Sequence, residues 1–164
     1  MRYFAVGVFV LALTMGLNQK AEAQFAVEGG LGYGSDIDRL GIKGSVVYDI
    51  EGVDELQFTG GLIFYLPESE GDVTWTWTEI NVNAEYHFLE ESNFSVYGLG
   101  GVNRTSLSIS GDHWGMGSGS SSGLNIGGGL VTDIGLALLD IELKYVLMDN
   151  WSRAVLSAGL RFPI

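Results

Sequence analysis

From position 24 onward the chain alternates apolar residues with small or polar ones at a period of two, in eight segments with no helical pattern between them. That repetition confines it to β-sheet. The expected strands are Gln24–Gly34, Leu40–Asp49, Leu56–Tyr65, Trp75–Phe88, Phe94–Asn103, Gly123–Asp133, Leu139–Leu147 and Arg153–Ile164. Consecutive strands with short connections pair most simply as an antiparallel meander. In the fourth segment the alternation changes phase, since Trp75 and Trp77 precede Ile80, Val82, Ala84, Tyr86 and Phe88. This predicts a bulge near Thr78-Glu79, or a strand that leaves a membrane there with its tryptophans at the interface. Pro67–Asp72 reads as an acidic loop, and Thr105–Ser122, dense in Gly and Ser, as a long flexible one. The longest connection falls at one end of the meander and the tightest turn, Asp133-Ile134-Gly135, at the other.

Alternation alone does not say which face is inside, because a soluble lipocalin-like carrier shows the same period with its apolar row turned inward. The occupants of the two rows decide it. The polar rows hold Gly30, Gly32, Gly41, Gly61, Gly101, Gly127, Gly129 and Gly159 together with charges of both signs, Glu28, Lys43, Glu85, Asp140, Glu142, Lys144 and Arg161. Small residues and opposed charges suit the cramped interior of an eight-stranded barrel, whereas a soluble exterior favours long polar side chains. Tyr33, Tyr48, Phe64, Trp75, Trp77, Phe88, Phe94, Trp151 and Phe162 lie near strand ends, as the aromatic girdles of a membrane barrel require. The expected fold is an all-β, eight-stranded antiparallel up-and-down transmembrane β-barrel. The seven charged residues form its lumen network, with Glu28 meeting Arg161 across the closing seam and Asp140 approaching Arg161 from the other side.

The beginning of the sequence points to export. Arg2 is followed by an apolar run, Tyr3–Leu17, and by the small-x-small site Ala21-Glu22-Ala23. These are the three parts of a secretory signal peptide, and the run is too short for a membrane-spanning helix, which needs about 20 apolar residues. Residues 1–23 are therefore expected to be removed, leaving residues 24–164 as one barrel domain with six Lys and Arg against nineteen Asp and Glu. So acidic a surface disfavours nucleic acid as a partner. There is no cysteine, which rules out disulfide staples and a lipid anchor through an N-terminal cysteine.

The last residues, Ser157-Ala158-Gly159-Leu160-Arg161-Phe162-Pro163-Ile164, read polar-x-Gly-x-x-apolar-x-apolar. The pattern resembles the C-terminal assembly signal of bacterial outer-membrane barrels, with Ser157, Gly159, Phe162 and Ile164 as its key positions. Many such barrels end on the aromatic; here Pro163 and Ile164 follow it. The texture of Ile80-Asn81-Val82-Asn83-Ala84-Glu85-Tyr86 and of Leu124-Asn125-Ile126-Gly127-Gly128-Gly129 resembles the small outer-membrane barrels of the OmpA/OmpX type over the whole exported chain. The resemblance implies residence in the cell outer membrane, contact with outer-membrane lipid and lipopolysaccharide, and insertion by the barrel-assembly machinery.

Catalytic chemistry is thinly represented. Lipid A deacylase barrels share a His-x-Ser pair near the C-terminus, but here His87 precedes Phe88-Leu89 and His113 precedes Trp114-Gly115. Asp36-Ile37-Asp38 and Glu68–Asp72 lack the spacing of a calcium loop, and Gly115–Gly123 lacks the lysine and helix of a phosphate loop. No cofactor or metal is expected. Bulky Tyr97 and Lys144 on the inner rows argue against free passage of solutes. The expected function is non-enzymatic: a structural, adhesive or envelope-maintenance role carried by the barrel and its outer loops. The alternatives are a lipid A-modifying barrel enzyme, which requires His87 or His113 to meet a serine and a carboxylate in space, and a secreted carrier.

Overall fold

The computed structural model describes residues 24–53, 55–111, 117–149 and 151–164. The proposed signal segment, residues 1–23, and His113 lie outside them. The strands are β1 (Phe25–Gly34), β2 (Arg39–Asp49), β3 (Leu56–Tyr65), β4 (Glu68–Glu70), β5 (Val73–Glu90), β6 (Phe94–Gly111), β7 (Gly117–Asp133), β8 (Leu138–Leu147) and β9 (Arg153–Pro163). The hydrogen-bonded order runs β3-β2-β1-β9-β8-β7-β6-β5, and β5 pairs back with β3. Eight antiparallel strands thus close into a barrel, with β4 attached outside the ring to β5. Closure removes every free edge at membrane depth, the condition for a sheet to exist in lipid. The seam joins β1 to β9, with Glu28 opposite Arg161 and Gly30 opposite Gly159.

The polarity of the barrel is inverted relative to a soluble protein. Each of the eight strands carries an outward apolar residue more than half exposed: Leu31, Ile42, Leu62, Ile80, Val102, Leu124, Leu143 and Leu156, at 51 to 59%. The inward rows bury Glu28, Lys43, Glu79, Glu85, Asp140, Glu142, Lys144, Arg153 and Arg161. A band of exposed Leu, Ile and Val around charged side chains is stable only where the surrounding solvent is hydrocarbon.

Three sequence expectations are corrected. No bulge occurs at Thr78-Glu79: pairing is continuous there to both β3 and β6, and the irregularity lies between His87 and Leu89. Trp75 and Trp77 have the same parity as Glu79 and Asn81, so they belong to the inward row. The change in the sequence is one of residue type along one face, not of backbone phase. Trp75, Trp77 and Trp151 accordingly leave the aromatic girdle; the rings of Trp77 and Trp151 pack against each other at 4.9 Å beside the buried cluster of Ile63, Tyr65, Val146, Met148 and Val155. Finally, most of the presumed loop Thr105–Ser122 is strand. β6 continues to Gly111, β7 begins at Gly117, and Glu68–Glu70 of the acidic loop pairs with Val73–Trp75. Together β4 to β7 form a sheet projecting beyond the rim.

Inward glycines make room for the large lumen side chains. A Cβ on Gly129 would lie 2.4 Å from the Tyr97 hydroxyl, and one on Gly159 would lie 2.4 Å from Glu28 Oε1. Outward Gly100 has nothing within 4 Å of the same position. Gly129→Val is therefore expected to destabilise the barrel by about 1–3 kcal/mol through overpacking, while Gly100→Ala leaves it nearly unchanged. Urea titrations scored by the band of unheated protein in SDS compare the two; equal midpoints would show that Tyr97 relocates freely.

Candidate functional site

Two regions concentrate the polar chemistry: the sealed lumen and the projecting sheet. The inner row of β5 orders the lumen in layers, from Trp77 near the projecting sheet through Glu79, Asn81, Asn83 and Glu85 to His87. In the first charged layer Glu79 is shared by two cations. Lys144 Nζ lies 2.9 Å from its Oε1, and Arg153 Nη2 pairs with its Oε2. Tyr65 donates to the same carboxylate at 3.1 Å, and Arg153 also donates to Thr105 Oγ1 at 2.8 Å. The guanidinium sits over the Trp151 ring, 4.8 Å from its centroid. The apolar cluster around Trp77 and Trp151 thus covers an ion triad.

Four asparagines form the next layer. Asn125 Nδ2 donates to Asn81 Oδ1 at 2.9 Å and to Asn83 Oδ1 at 2.7 Å, while Asn103 Nδ2 donates to Asn81 Oδ1 at 2.9 Å. Beyond it lies the second charged layer, which brings together six of the seven residues expected in the network. Arg161 contacts Glu28 at 3.1 Å, Glu85 at 3.1 Å and Asp140 at 3.2 Å. Lys43 contacts Glu28 at 2.8 Å, Asp140 at 3.5 Å and Glu142 at 3.9 Å. Lys144, the seventh, belongs to the Glu79 triad instead. The cavity between the charged layers is about 20 Å³, room for about one water. The lumen is a packed core, not a channel.

Glu79 and Arg153 are absent from the network as read from sequence. Parity contained the signal: Arg153 is eight residues before Arg161, hence on the same row of β9, and Glu79 shares its row with Glu85. In the C-terminal pattern Ser157 and Gly159 face inward, with Ser157 Oγ 3.3 Å from Lys43 Nζ, while Phe162 and Ile164 are exposed on the outside.

At the far end of the lumen His87 lies beside Tyr97 and meets Ser95, Nδ1 to Oγ 2.6 Å. Its Nε2 is 3.1 Å from Gln57 Oε1 and 4.0 Å from Glu85, beyond hydrogen-bonding reach. Gln57 Oε1 also accepts from Arg161. Nε2 therefore carries the histidine proton and Nδ1 accepts from Ser95. A serine and a carboxylate do surround His87, but Gln57 occupies the orienting position. Among the described residues no group of three His, Asp or Glu is arranged to hold a metal.

In the projecting sheet the outward face is a ladder of hydroxyls, with Thr78, Ser106 and Ser120 in one row and Thr76, Ser108 and Ser118 in the next. The inward face carries Trp75, Trp77, Leu107 and Ile109, so that the ladder and the apolar strip lie back to back.

No protein-family model matches the chain, and no curated protein matches it. Solved structures do. Neisserial surface protein A superposes with a TM-score of 0.69 at 19% identity, covering 86% of this chain and 97% of that one. The Yersinia pestis attachment invasion locus protein Ail, in complex with the heparin analogue sucrose octasulfate, gives 0.64 at 19% identity over 84% and 97%. The N-terminal β-barrel domain of Pseudomonas aeruginosa OprF gives 0.63 at 16% identity over 84% and 96%. The chain has the fold of the small eight-stranded outer-membrane β-barrels.

Proposed function

We propose that residues 24–164 form a non-enzymatic integral barrel of the cell outer membrane. Residues 1–23 serve as its cleaved signal, and Ser157, Gly159, Phe162 and Ile164 as its signal for the assembly machinery. It requires no cofactor, and it acts at the cell surface through the sheet projecting from its rim, in attachment or envelope maintenance. The observation that carries this reading is the combination of an apolar outer wall, an ion-filled lumen and a sheet of four strands standing beyond the membrane belt. Ail, which shares the fold, is an attachment protein that holds a sulfated heparin analogue. In this chain only one cation, Arg104, faces outward among the described residues, so a densely sulfated polysaccharide finds no cluster of partners here.

Two measurements test the reading. Unheated membrane-fraction protein is expected to migrate in SDS as a band distinct from the boiled protein; a single band from soluble periplasmic protein would move the chain to the carrier class. With Ser118→Cys and Ser92→Cys variants, a membrane-impermeant maleimide is expected to label only Ser118→Cys on whole cells, because the two positions lie at opposite ends of the barrel. Labelling of Ser92→Cys alone would reverse the orientation.

The Ser95–His87 contact favours a second reading, a serine hydrolase opening at the turn end. A fluorophosphonate probe distinguishes them. No labelling of Ser95 is expected, whereas labelling lost in both Ser95→Ala and His87→Gln would establish the hydrolase.

A further inference from the structure

The described residues contain six Lys and Arg, and five of them, Arg39, Lys43, Lys144, Arg153 and Arg161, lie on inward rows. Arg104 alone points outward. It sits on β6 opposite Ile80 of β5 and Ser122 of β7. On the barrel side of this row the outward residues of the three strands are apolar, with Val82, Val102, Leu124 and Ile126 exposed. On the other side every outward position is a Ser or Thr. Three adjacent strands therefore change from hydrocarbon to hydroxyl at one height, and the lone cation stands on the boundary. In a membrane barrel that boundary is where acyl chains end and headgroups begin.

Arg104 Nη2 donates to Ser120 Oγ at 2.9 Å, and no carboxylate of the described residues pairs with it. Arg104 itself lines a groove of about 310 Å³, together with Leu107, Gly119 and the Thr and Ser residues of the ladder. A guanidinium offers a forked pair of donors matched to phosphate oxygens. Hydroxyls both donate and accept, as the hydroxyls and amides of a sugar require. On a chain of formal charge −12, an anion is admitted only where a cation stands apart from carboxylates, and on the outer wall Arg104 is that place. We propose that this wall binds a phosphorylated glycolipid of the outer leaflet, lipid A in class, with one phosphate on Arg104 and the sugar against the hydroxyl ladder. A glycerophospholipid satisfies the arginine but leaves the ladder without partners, which is why the glycolipid is the occupant. The inference rests on the outer-membrane reading, which supplies the leaflet.

The test is native mass spectrometry of the purified barrel in non-ionic detergent, titrated separately with diphosphorylated lipid A and with phosphatidylglycerol. The wild type is expected to retain lipid A at least tenfold more tightly than phosphatidylglycerol. Arg104→Gln is expected to weaken lipid A by roughly tenfold, as loss of a charge-assisted hydrogen bond implies. Ser106→Ala combined with Ser120→Ala should weaken lipid A while leaving phosphatidylglycerol unchanged. Arg39→Gln, which alters a cation paired with Glu68 on the inward row, should match the wild type. Equal retention of lipid A by the wild type and Arg104→Gln overturns the proposal, as does phosphatidylglycerol binding as tightly as lipid A. Each preparation is checked for the band shift between unheated and boiled samples. A shifted barrel with no arginine-dependent retention sinks the lipid site alone, whereas a chain soluble without detergent and showing no shift sinks the outer-membrane reading and this site with it.

Discussion

Replacing Glu79 by Gln is expected to lower the unfolding free energy of the barrel by about 3–5 kcal/mol, the cost of leaving buried charges without their counterion. Glu79 is the only carboxylate of the described residues paired with Lys144 and with Arg153, and all three side chains are almost completely shielded from solvent. Above them the Trp77–Trp151 pair and the cluster around Tyr65 and Val155 close the lumen, so water does not readily take the place of the lost anion. The measurement is the urea midpoint of the refolded barrel in lipid, read as the fraction that keeps the unheated mobility in SDS. Lys144→Met in the Glu79→Gln background should recover part of the loss, since one stranded cation is then removed. A Glu79→Gln midpoint equal to the wild type would mean that the triad is hydrated and contributes little.

Both the eight strands and the direction of their faces were legible because one physical constraint acts on each residue of the belt: a side chain meets either lipid or a narrow lumen. Leu31, Ile42 and Leu62 obey it outward, Glu28, Lys43 and Gly61 inward, and the alternation repeats on every strand. Beyond the rim that constraint ends. Ser106, Ser108, Ser118 and Ser120 lie beyond the acyl chains, so their strands carry no outward apolar row, and their Ser and Gly content imitates a flexible loop. What makes them strands is cross-strand pairing, of β6 with the Thr and Trp residues of β5 and of β7 with β6, a tertiary effect that local composition does not reveal. Trp77 departs from the girdle expected from sequence for a related reason. An aromatic near a strand end marks an interface only when its parity points outward, and Trp77 shares its row with Glu79. The same parity makes the triad of Glu79, Lys144 and Arg153 recoverable from sequence, whereas the choice of which carboxylate each cation serves depends on strand stagger and needs the closed barrel.

Arg161→Met should be at least as damaging as the loss of Glu79, because one guanidinium serves three carboxylates from three strands: Glu28 on β1, Glu85 on β5 and Asp140 on β8. Without it Lys43 is, among the described residues, the only cation in contact with that layer's acids, and Lys43 reaches Glu28, Asp140 and Glu142 but not Glu85. Among the described residues Glu85 is then left buried without a cation, the neutral His87 ring lying 4.0 Å away. A decrease of about 3–5 kcal/mol is expected on the same scale as for other broken buried pairs. Two companion variants separate charge from shape. Arg161→Lys keeps the charge but presents a single point in place of a planar fork, so it should recover only part of the loss. Arg161→Met combined with Glu85→Gln neutralises the stranded carboxylate and should be more stable than Arg161→Met alone, a coupling that additive effects do not produce. Arg161 also packs over Tyr97, with its guanidinium 5.6 Å from the ring centroid, so Met preserves some of that contact while removing the charge. If the double variant is no better than the single one, the carboxylates are not what Arg161 holds in place, and its contribution lies in filling the lumen beside the β1–β9 seam. If it is better, the ion layer is a clasp on the one junction of the barrel that no turn connects, since β1 and β9 are joined by hydrogen bonds and by the Glu28–Arg161 pair and not through a turn.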